Sequence, residues 1–166
     1  MLRVNERLML ADGWVGTALG VVIVRAGRAN GLDFPAEVLQ RRAYKFEGAP
    51  CFVDHPGPAD QGRPGGRSVR DLVGQIVRAK WDPIGSQIMG MLQLANGGRW
   101  VWDLARDLGH TPFLGLSADV WVAREGARVA DIHQVNSVDV VIRPAAGGCF
   151  IGEQGINHQG TRAQRV

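Results

Sequence analysis

The amino-acid sequence predicts a mainly β domain of antiparallel strands with two short helices. Apolar and polar residues alternate over several runs, which is the pattern of strands that turn one face toward a core. Clusters of Gly, Pro, Asn and Asp separate these runs, as expected for turns between neighbouring strands. Only two segments repeat their apolar residues at helical spacing. The runs amount to about six or seven strands, and periodicity alone does not distinguish a barrel from a sandwich.

Whole-chain properties indicate a single globular domain. The chain has 166 residues, 45% of them hydrophobic, which is enough for one core. We expect this domain to cover residues 1–153 and a polar, flexible tail to cover residues 154–166. The formal charge of +3 rests on scattered arginines, so composition permits nucleic-acid binding without requiring it.

Cysteine content and the N-terminal sequence suggest a cellular compartment. The two cysteines, Cys51 and Cys149, form neither a CxxC pair nor a zinc-binding spacing. We expect two free thiols, with one disulfide as the alternative. The N-terminus lacks the charged and then apolar run of a signal peptide, and the apolar stretch 19–24 is too short to span a membrane. These features predict a soluble intracellular protein.

Local patterns in the first part of the chain predict strands, loops and one helix. In order, we expect a strand over residues 2–10, a strand over 19–25, a loop over 26–32, a short helix opened by Pro35, a short strand over 51–55 and a Gly- and Pro-rich loop or flap over 57–66. The strand over 19–25 is the clearest, because it is rich in β-branched residues. Pro35 suits the first position of a helix. The residues that then share a helical face are Val38, Leu39, Arg42 and Ala43.

The second part of the chain predicts a hairpin, a helix and two long strands. In order, we expect strands over residues 73–81 and 86–94 joined by a turn at 82–85, an amphipathic helix over 99–108, a strand over 113–124, one strand or two over 129–142, and a tight loop over 143–148. Gly109 closes the helix. Proline at position 112 then separates the helix from the next strand.

The stretch from Gly115 to Asp119 contains the first candidate for chemistry. Alternation in a strand places Ser117 and Asp119 on the face opposite Leu116 and Ala118. A small hydroxyl flanked by small residues on a rigid strand can be held in place and still be reached by a substrate. Ser117 is therefore a candidate nucleophile, and an ordinary strand serine is the alternative.

A serine hydroxyl needs a base to take its proton, and His55 is the best placed of the four histidines. It ends a short strand, because the proline that follows favours extended geometry at position 55. It also borders the flexible stretch 57–66. The other histidines are weaker candidates, for His110 follows a helix end, His133 begins a strand and His158 lies in the polar tail.

An acid that holds the tautomer of the base would complete such a site. Asp139 is one candidate, because it shares a strand face with Ser137. Asp54, Asp119 and Glu125 are its rivals.

Taken in order, these motifs resemble a known family. They are Asp54-His55-Pro56, Gly115-Leu116-Ser117-Ala118-Asp119, Ser137-Val138-Asp139-Val140-Val141 and Pro144-Ala145-Ala146-Gly147-Gly148. The ordered set resembles the prohead maturation proteases of tailed phages, which are similar in fold to the herpesvirus assemblins. The resemblance runs from about residue 19 to residue 148. It implies an antiparallel β-barrel surrounded by short helices, and residues 1–153 as the protease domain.

The resemblance also implies roles for individual residues. Ser117 would be the nucleophile, His55 the general base and Asp139 the orienting acid. The assemblins carry a histidine in the third place, so Asp139 departs from them and follows the phage proteases. Backbone N–H groups of Gly147 and Gly148, in the stretch that begins at Ala146, would form the oxyanion hole.

The function implied by the resemblance is that of a serine endopeptidase without metal or cofactor. Its substrates would be the scaffold protein, the major capsid protein precursor and the enzyme itself, during prohead maturation. It would act in the host cytoplasm, inside the immature phage procapsid. A homodimer is implied by the herpesvirus relatives, whereas a membrane or a nucleic acid is not required.

Two non-catalytic functions compete with this one. A β-barrel could serve as a structural component of a phage particle, such as a tube protein, and would need no triad. A basic β-barrel with exposed Trp14, Trp81 or Trp121 could instead stack nucleic-acid bases. That function requires aromatic and basic residues interleaved on one face, a pattern that the sequence lacks. We interpret Trp81 and Trp100 as residues packed in the core or the hairpin.

Overall fold

The computed structural model describes residues 8–9 and 15–151. This part of the chain contains ten strands and two α-helices. The strands are β1 (Leu8–Met9), β2 (Val15–Arg25), β3 (Gly27–Ala29), β4 (Leu32–Phe34), β5 (Pro50–Phe52), β6 (Leu72–Asp82), β7 (Gln87–Leu94), β8 (Leu114–Glu125), β9 (Arg128–Ile142) and β10 (Cys149–Phe150). The helices are α1 (Ala36–Arg42) and α2 (Trp100–Leu108). The mainly β fold with two short helices is confirmed.

Two sheets curl around a common core as a half-barrel. One sheet has the order β1-β2-β7-β6-β5, with β10 also paired to β2, and the other has the order β3-β4-β9-β8. All strand pairs are antiparallel except β4 with β9. A parallel bridge between Val53 and Val140 joins the end of β5 to β9. That bridge connects the two sheets at the place where the candidate site lies.

The core fills the space between the sheets and the two helices. The helices contribute Val38 and Leu39 from α1, and Val101 and Ala105 from α2. Leu39, Ile76 and their neighbours are fully buried. Burial of one such side chain stabilises the fold by about 1.5–3 kcal/mol. This packing makes the β8–β9 pair a rigid support for the side chains that it carries.

The prediction of a loop over residues 26–32 is wrong, because the structure forms a hairpin there. Strands β3 and β4 pair antiparallel around Asn30 and Gly31. These two residues have φ angles of +50° and +76°. Positive φ at both central positions is the geometry of a two-residue hairpin turn, and Asn-Gly is its strongest sequence signal. The short strands β3, β4 and β10 also explain why the structure has more strands than expected.

Several other predicted elements can be compared directly. The hairpin of β6 and β7, the helix α2 and the single long strand β9 are confirmed. The strand expected over 51–55 is shorter, because pairing ends at Phe52. Only Leu8–Met9 of the strand expected over 2–10 falls within the described residues, and the tail 154–166, with His158, lies outside them, as does Trp14.

The tryptophans and cysteines take different environments. Trp81 packs against the core as predicted, whereas Trp100 is about half exposed at the start of α2. Trp121 on β8 is also exposed. Cys51 is buried and Cys149 is partly exposed, and both are free thiols. No helix within residues 8–9 and 15–151 combines the length and the apolar character needed to cross a bilayer.

Candidate active site

The pairing of β8 with β9 places Ser117 directly opposite Asp139. The next pair on the same face is Asp119 with Ser137. Residues that are partners across two antiparallel strands project their side chains on the same side of the sheet. Strand register alone therefore brings the candidate nucleophile and the candidate acid together.

His55 reaches these two residues from the other sheet. After β5 the chain bridges to Val140, and the backbone N–H of Asp54 donates to the Val140 carbonyl at 2.9 Å. Asp54 has a φ of +62°, a left-handed conformation that is uncommon for a residue other than glycine. This sharp turn ends the strand and directs the chain so that His55 lies over the Ser117–Asp139 pair.

The imidazole of His55 contacts both side chains. Its Nδ1 lies 2.7 Å from Asp139 Oδ2, and its Nε2 lies 3.0 Å from Ser117 Oγ. Because an ionised carboxylate only accepts hydrogen bonds, Nδ1 carries the proton in the neutral ring. Nε2 is then left to accept the proton of the Ser117 hydroxyl. The arrangement can lower the cost of deprotonating that hydroxyl.

Burial differs sharply among the three side chains. Asp139 is fully buried and Ser117 is nearly so, whereas 44% of the His55 side chain is exposed. The sequence pattern placed Ser117 on a face open to solvent, but the imidazole and the loops around it cover most of that face. Only the ring of His55 and a small part of Ser117 remain open to a ligand.

The charges around His55 favour its protonated form. The hydrogen bond to Asp139 raises the pKa of His55, and the charges of Asp139 and Asp119 raise it further. Partial burial of the ring and the positive charge of Arg67 lower the pKa, but they do not reverse the shift. The pKa of His55 is therefore above its usual value of about 6.5.

We expect the imidazole protons of His55 to titrate by NMR with a midpoint above about 6.5. A raised pKa means that His55 stabilises the folded protein below the unfolded pKa, and that this contribution is lost as pH rises through the folded pKa. In the Asp139→Asn variant the largest cause of the shift is removed, so the midpoint should fall. A midpoint for the wild-type protein at or below the usual value would contradict the hydrogen bond to Asp139.

Arg67 is a member of this cluster that sequence reasoning missed. Its Nη1 lies 3.2 Å from Asp139 Oδ2, 3.4 Å from Asp139 Oδ1 and 3.3 Å from Ser137 Oγ. Arg67 was visible in the sequence only as one of several arginines in loops. No local pattern distinguishes it from Arg63 or Arg70, because its contacts are with residues far away in the chain.

A cavity of about 320 Å³ opens beside the Ser117 hydroxyl. Its polar lining residues are Asn30, His55, Ser117 and Asp119, and the remaining wall is apolar, with Phe46 among its residues. The cavity extends from the imidazole toward the β3–β4 hairpin and α1. It offers room for a bound side chain next to the hydroxyl.

The loop after β9 forms part of the same region. Ala145 and Ala146 line the cavity, and the Ala146 carbonyl accepts a hydrogen bond from the Arg25 backbone N–H at 2.9 Å. Gly147 has a φ of +70° and lies against the Arg25 side chain. At Gly148 a Cβ atom would come within 2.0 Å of the Leu116 carbonyl oxygen, so only glycine fits there.

The side chains of the rival residues that the structure describes make no hydrogen bond with Ser117, His55 or Asp139. Asp54 meets the cluster through its backbone, Asp119 lines the cavity, and Glu125 lies at the far, exposed end of β8. His110 follows α2, His133 lies on β9 six positions before Asp139, and both are exposed. Within the described residues, no group of three or more His, Cys, Asp and Glu side chains is arranged to hold a metal ion.

Comparisons with known proteins bear on the fold. No family model matches this chain, and no curated protein sequence matches it. Its structure is similar to that of the bacteriophage T4 capsid assembly protease, gp21, with a TM-score of 0.50 and 14% identity over 81% of this chain and 87% of that chain. At this identity the similarity concerns the fold alone. The chain therefore has a mainly β, half-barrel fold that is similar to the fold of this capsid assembly protease.

Proposed function

We propose that this chain is a serine endopeptidase that uses Ser117, His55 and Asp139. The observation that carries the proposal is the position of one imidazole between a hydroxyl and a buried carboxylate, at 3.0 Å and 2.7 Å. These are the contacts that a nucleophile, a general base and an orienting acid require. The cavity beside the hydroxyl supplies space for a peptide segment.

The proposed reaction begins with attack of Ser117 Oγ on the carbonyl carbon of the scissile peptide bond. His55 Nε2 takes the hydroxyl proton as the C–O bond forms, and Asp139 stabilises the resulting imidazolium. His55 then gives this proton to the leaving amine as the C–N bond breaks. His55 Nε2 then takes a proton from a water molecule, whose oxygen attacks the acyl carbon. The ester bond to Ser117 Oγ breaks, His55 returns the proton to Oγ, and the carboxyl product leaves.

The developing oxyanion is proposed to accept hydrogen bonds from backbone N–H groups of Gly147 and Gly148. Such donors stabilise a tetrahedral intermediate when they are fixed in place beforehand. Close packing of Gly148 against Leu116 supports this role, because Leu116 directly precedes the nucleophile. The Leu116 N–H also donates to the Gly148 carbonyl at 3.2 Å, which ties the loop to β8.

The proposed substrates are the scaffold protein, the major capsid protein precursor and the enzyme itself. The ordered motifs and the similarity in fold to a capsid assembly protease support this choice. Processing would take place inside the immature phage procapsid in the host cytoplasm, with the enzyme acting as a possible homodimer. No cofactor takes part in the proposed chemistry.

A serine-directed phosphonate probe tests the pairing of Ser117 with His55. We expect the wild-type protein to be labelled at Ser117, and the His55→Ala variant to react more slowly by about 10²–10⁴-fold, the usual contribution of a general base. Labelling is followed by intact mass and by peptide mapping.

The exposed His110 offers a matched control, because it lies outside the site. The His110→Ala variant should react at the wild-type rate. Labelling of the His55→Ala variant at that rate would contradict the pairing. An unreactive Ser117 in the wild-type protein would instead favour a structural component of a phage particle.

A further inference from the structure

Arg67 lies where the Gly- and Pro-rich segment rejoins the sheet. It follows Gly65 and Gly66, whose φ angles are +78° and +72°, and it precedes Ser68. Ser68 Oγ accepts a hydrogen bond from the Arg70 N–H at 3.3 Å and starts the short 3-10 turn Val69–Asp71. The backbone on both sides of Arg67 is therefore bent so that its side chain enters the cluster beneath His55.

The guanidinium of Arg67 is held by four different groups. Nη2 donates to the Asp54 carbonyl at 2.7 Å, and Nη1 donates to Ser137 Oγ at 3.3 Å and to the Asp139 carboxylate at 3.2 Å. The Phe52 ring lies beneath the guanidinium, 4.0 Å from the central carbon. Only 12% of the Arg67 side chain is exposed. Arg63, in the same segment, instead pairs with Asp60 at the surface.

The same carboxylate oxygen accepts hydrogen bonds from both His55 and Arg67. His55 Nδ1 lies 2.7 Å from Asp139 Oδ2, and Arg67 Nη1 lies 3.2 Å from it. Arg67 also lies 3.4 Å from Oδ1, so it spans the two oxygens. A carboxylate held in this way cannot rotate about its last side-chain bond without breaking one of these contacts. The oxygen that faces His55 is therefore fixed before any substrate binds.

Arg67 has a second effect, because its positive charge compensates the negative charge of Asp139. Asp139 is fully buried, and an uncompensated buried carboxylate is strongly unfavourable. A general base must be neutral before it accepts a proton, so His55 brings no full charge in the form that is ready to react. Within the part of the chain that the structure describes, Arg67 is the side chain that pairs a permanent positive charge with Asp139.

We propose that Arg67 is a positioning residue of the Ser117–His55–Asp139 site, which fixes the orientation of the Asp139 carboxylate and compensates its charge while His55 is neutral. This inference rests on the proposed function. It adds a fourth residue to the site, from the segment between β5 and β6. This residue acts on Asp139 and His55 and not on the substrate.

The proposal has a consequence for pH dependence. The charged groups that face His55 are Asp139 on β9, Asp119 on β8 and Arg67. The two carboxylates raise the pKa of His55, and Arg67 lowers it. Cys51 on β5 also lies near Asp139, but it brings no charge, because burial raises the pKa of its thiol. Removal of the Arg67 charge should therefore raise the pKa of His55 and reduce the neutral fraction of the base near pH 7.

The test compares Arg67→Met and Arg67→Lys with the wild-type protein. The readouts are the rate constant for phosphonate labelling of Ser117 as a function of pH, and the NMR titration of His55. For Arg67→Met we expect labelling at pH 7 to slow by about 10–100-fold, by analogy with the loss found when a residue that orients a metal ligand is replaced. The acid limb of the rate profile and the His55 midpoint should both move to higher pH.

The Lys variant separates charge from geometry. Lysine keeps the positive charge but lacks the planar fork. The His55 midpoint of Arg67→Lys should therefore lie closer to the wild-type value than that of Arg67→Met. Arg63→Met, a surface change in the same segment, should match the wild-type protein in both readouts. Equal His55 midpoints in the wild-type and Arg67→Met proteins would overturn the proposal.

A double-mutant cycle covers the case in which Arg67→Met folds poorly. Removal of Arg67 alone leaves a buried carboxylate unpaired, whereas the double variant Arg67→Met/Asp139→Asn leaves no charge in that place. The fall in Tm of the double variant should be smaller than the sum of the two single falls, and additive falls would overturn the contact. The cycle and the His55 titration need no peptidase activity, so a wild-type protein inert toward the phosphonate would refute the proposed function and leave these two tests of Arg67 in force.

Discussion

Replacement of Ser117 by alanine is expected to abolish processing of the scaffold protein and the major capsid protein precursor. The change removes the one oxygen that lies 3.0 Å from His55 Nε2 and beside the cavity. Loss of the nucleophile in a serine protease lowers kcat on the order of 10⁶-fold. Cleavage by the variant should therefore be undetectable over the time in which the wild-type protein completes it.

The same change should leave the fold intact. Ser117 is small, its backbone pairs with Asp139 in the ladder, and alanine fits any strand position that serine occupies. The variant loses one side-chain hydrogen bond, which contributes about 1 kcal/mol to the free energy of unfolding. For a domain of this size that loss corresponds to a shift in Tm of about 2–4 °C.

The experiment incubates each protein with the proposed scaffold and capsid-precursor substrates and identifies the fragments by mass spectrometry. Thermal melting of the same samples shows whether the variant is folded. Ser86→Gly is a matched control, because it removes a hydroxyl from an exposed turn residue whose φ of +47° glycine adopts readily. If Ser117→Ala forms the fragments at the wild-type rate, another residue of this chain or another protein performs the cleavage.

The parts of the site that depend on strand alternation could be predicted from the sequence. Alternation in β8 and β9 predicts which residues share a face, and antiparallel pairing then places Ser117 opposite Asp139. The choice of Asp139 over Asp119 needed more than alternation, because both acids lie on the same face of the pair. The choice of Asp139 rests on the order of the motifs, which resembles that of a known family.

The parts that depend on long-range contacts could not be predicted. The left-handed backbone at Asp54 and the parallel bridge of Val53 to Val140 bring His55 across from the other sheet. Neither leaves a periodic pattern, since the first involves a single residue and the second a single residue pair. The contact of Arg67 with Asp139 joins residues 72 positions apart and depends on two consecutive left-handed glycines. Asn30-Gly31 is different, because the hairpin that it forms was readable from the sequence.

Replacement of Asp139 by asparagine is expected to slow turnover by about 10⁴-fold, the effect of this change on the corresponding acid of a serine protease. An amide offers one oxygen and one NH2 group in place of two oxygens. With its NH2 toward His55, the amide would require Nδ1 to accept, and the ring proton would then lie on Nε2. In that tautomer His55 cannot accept the Ser117 proton.

The opposite orientation of the amide meets a different conflict. With the amide oxygen toward His55, the NH2 group takes the place of Oδ1, where Arg67 Nη1 lies 3.4 Å away. Two donors would then face each other in a fully buried place. Arg67 opposes both orientations, because its Nη1 lies 3.2 Å from the Oδ2 position and 3.4 Å from the Oδ1 position. The amide group therefore meets a buried donor of Arg67 in either orientation, which adds a loss of stability to the loss of the orienting carboxylate.

The stability of Asp139→Asn should fall as well. Breaking a buried ion pair by removing one partner costs about 3–5 kcal/mol, and Arg67 keeps its contacts with Asp54 and Ser137, which places this variant at the lower end of that range. Rates are measured below the Tm of the variant and divided by the fraction folded, so that chemistry is compared in folded protein. A corrected loss of only a few-fold would transfer the orienting role to another carboxylate. Asp119 would then be the first to test, because its charge already acts on His55 from the adjacent strand.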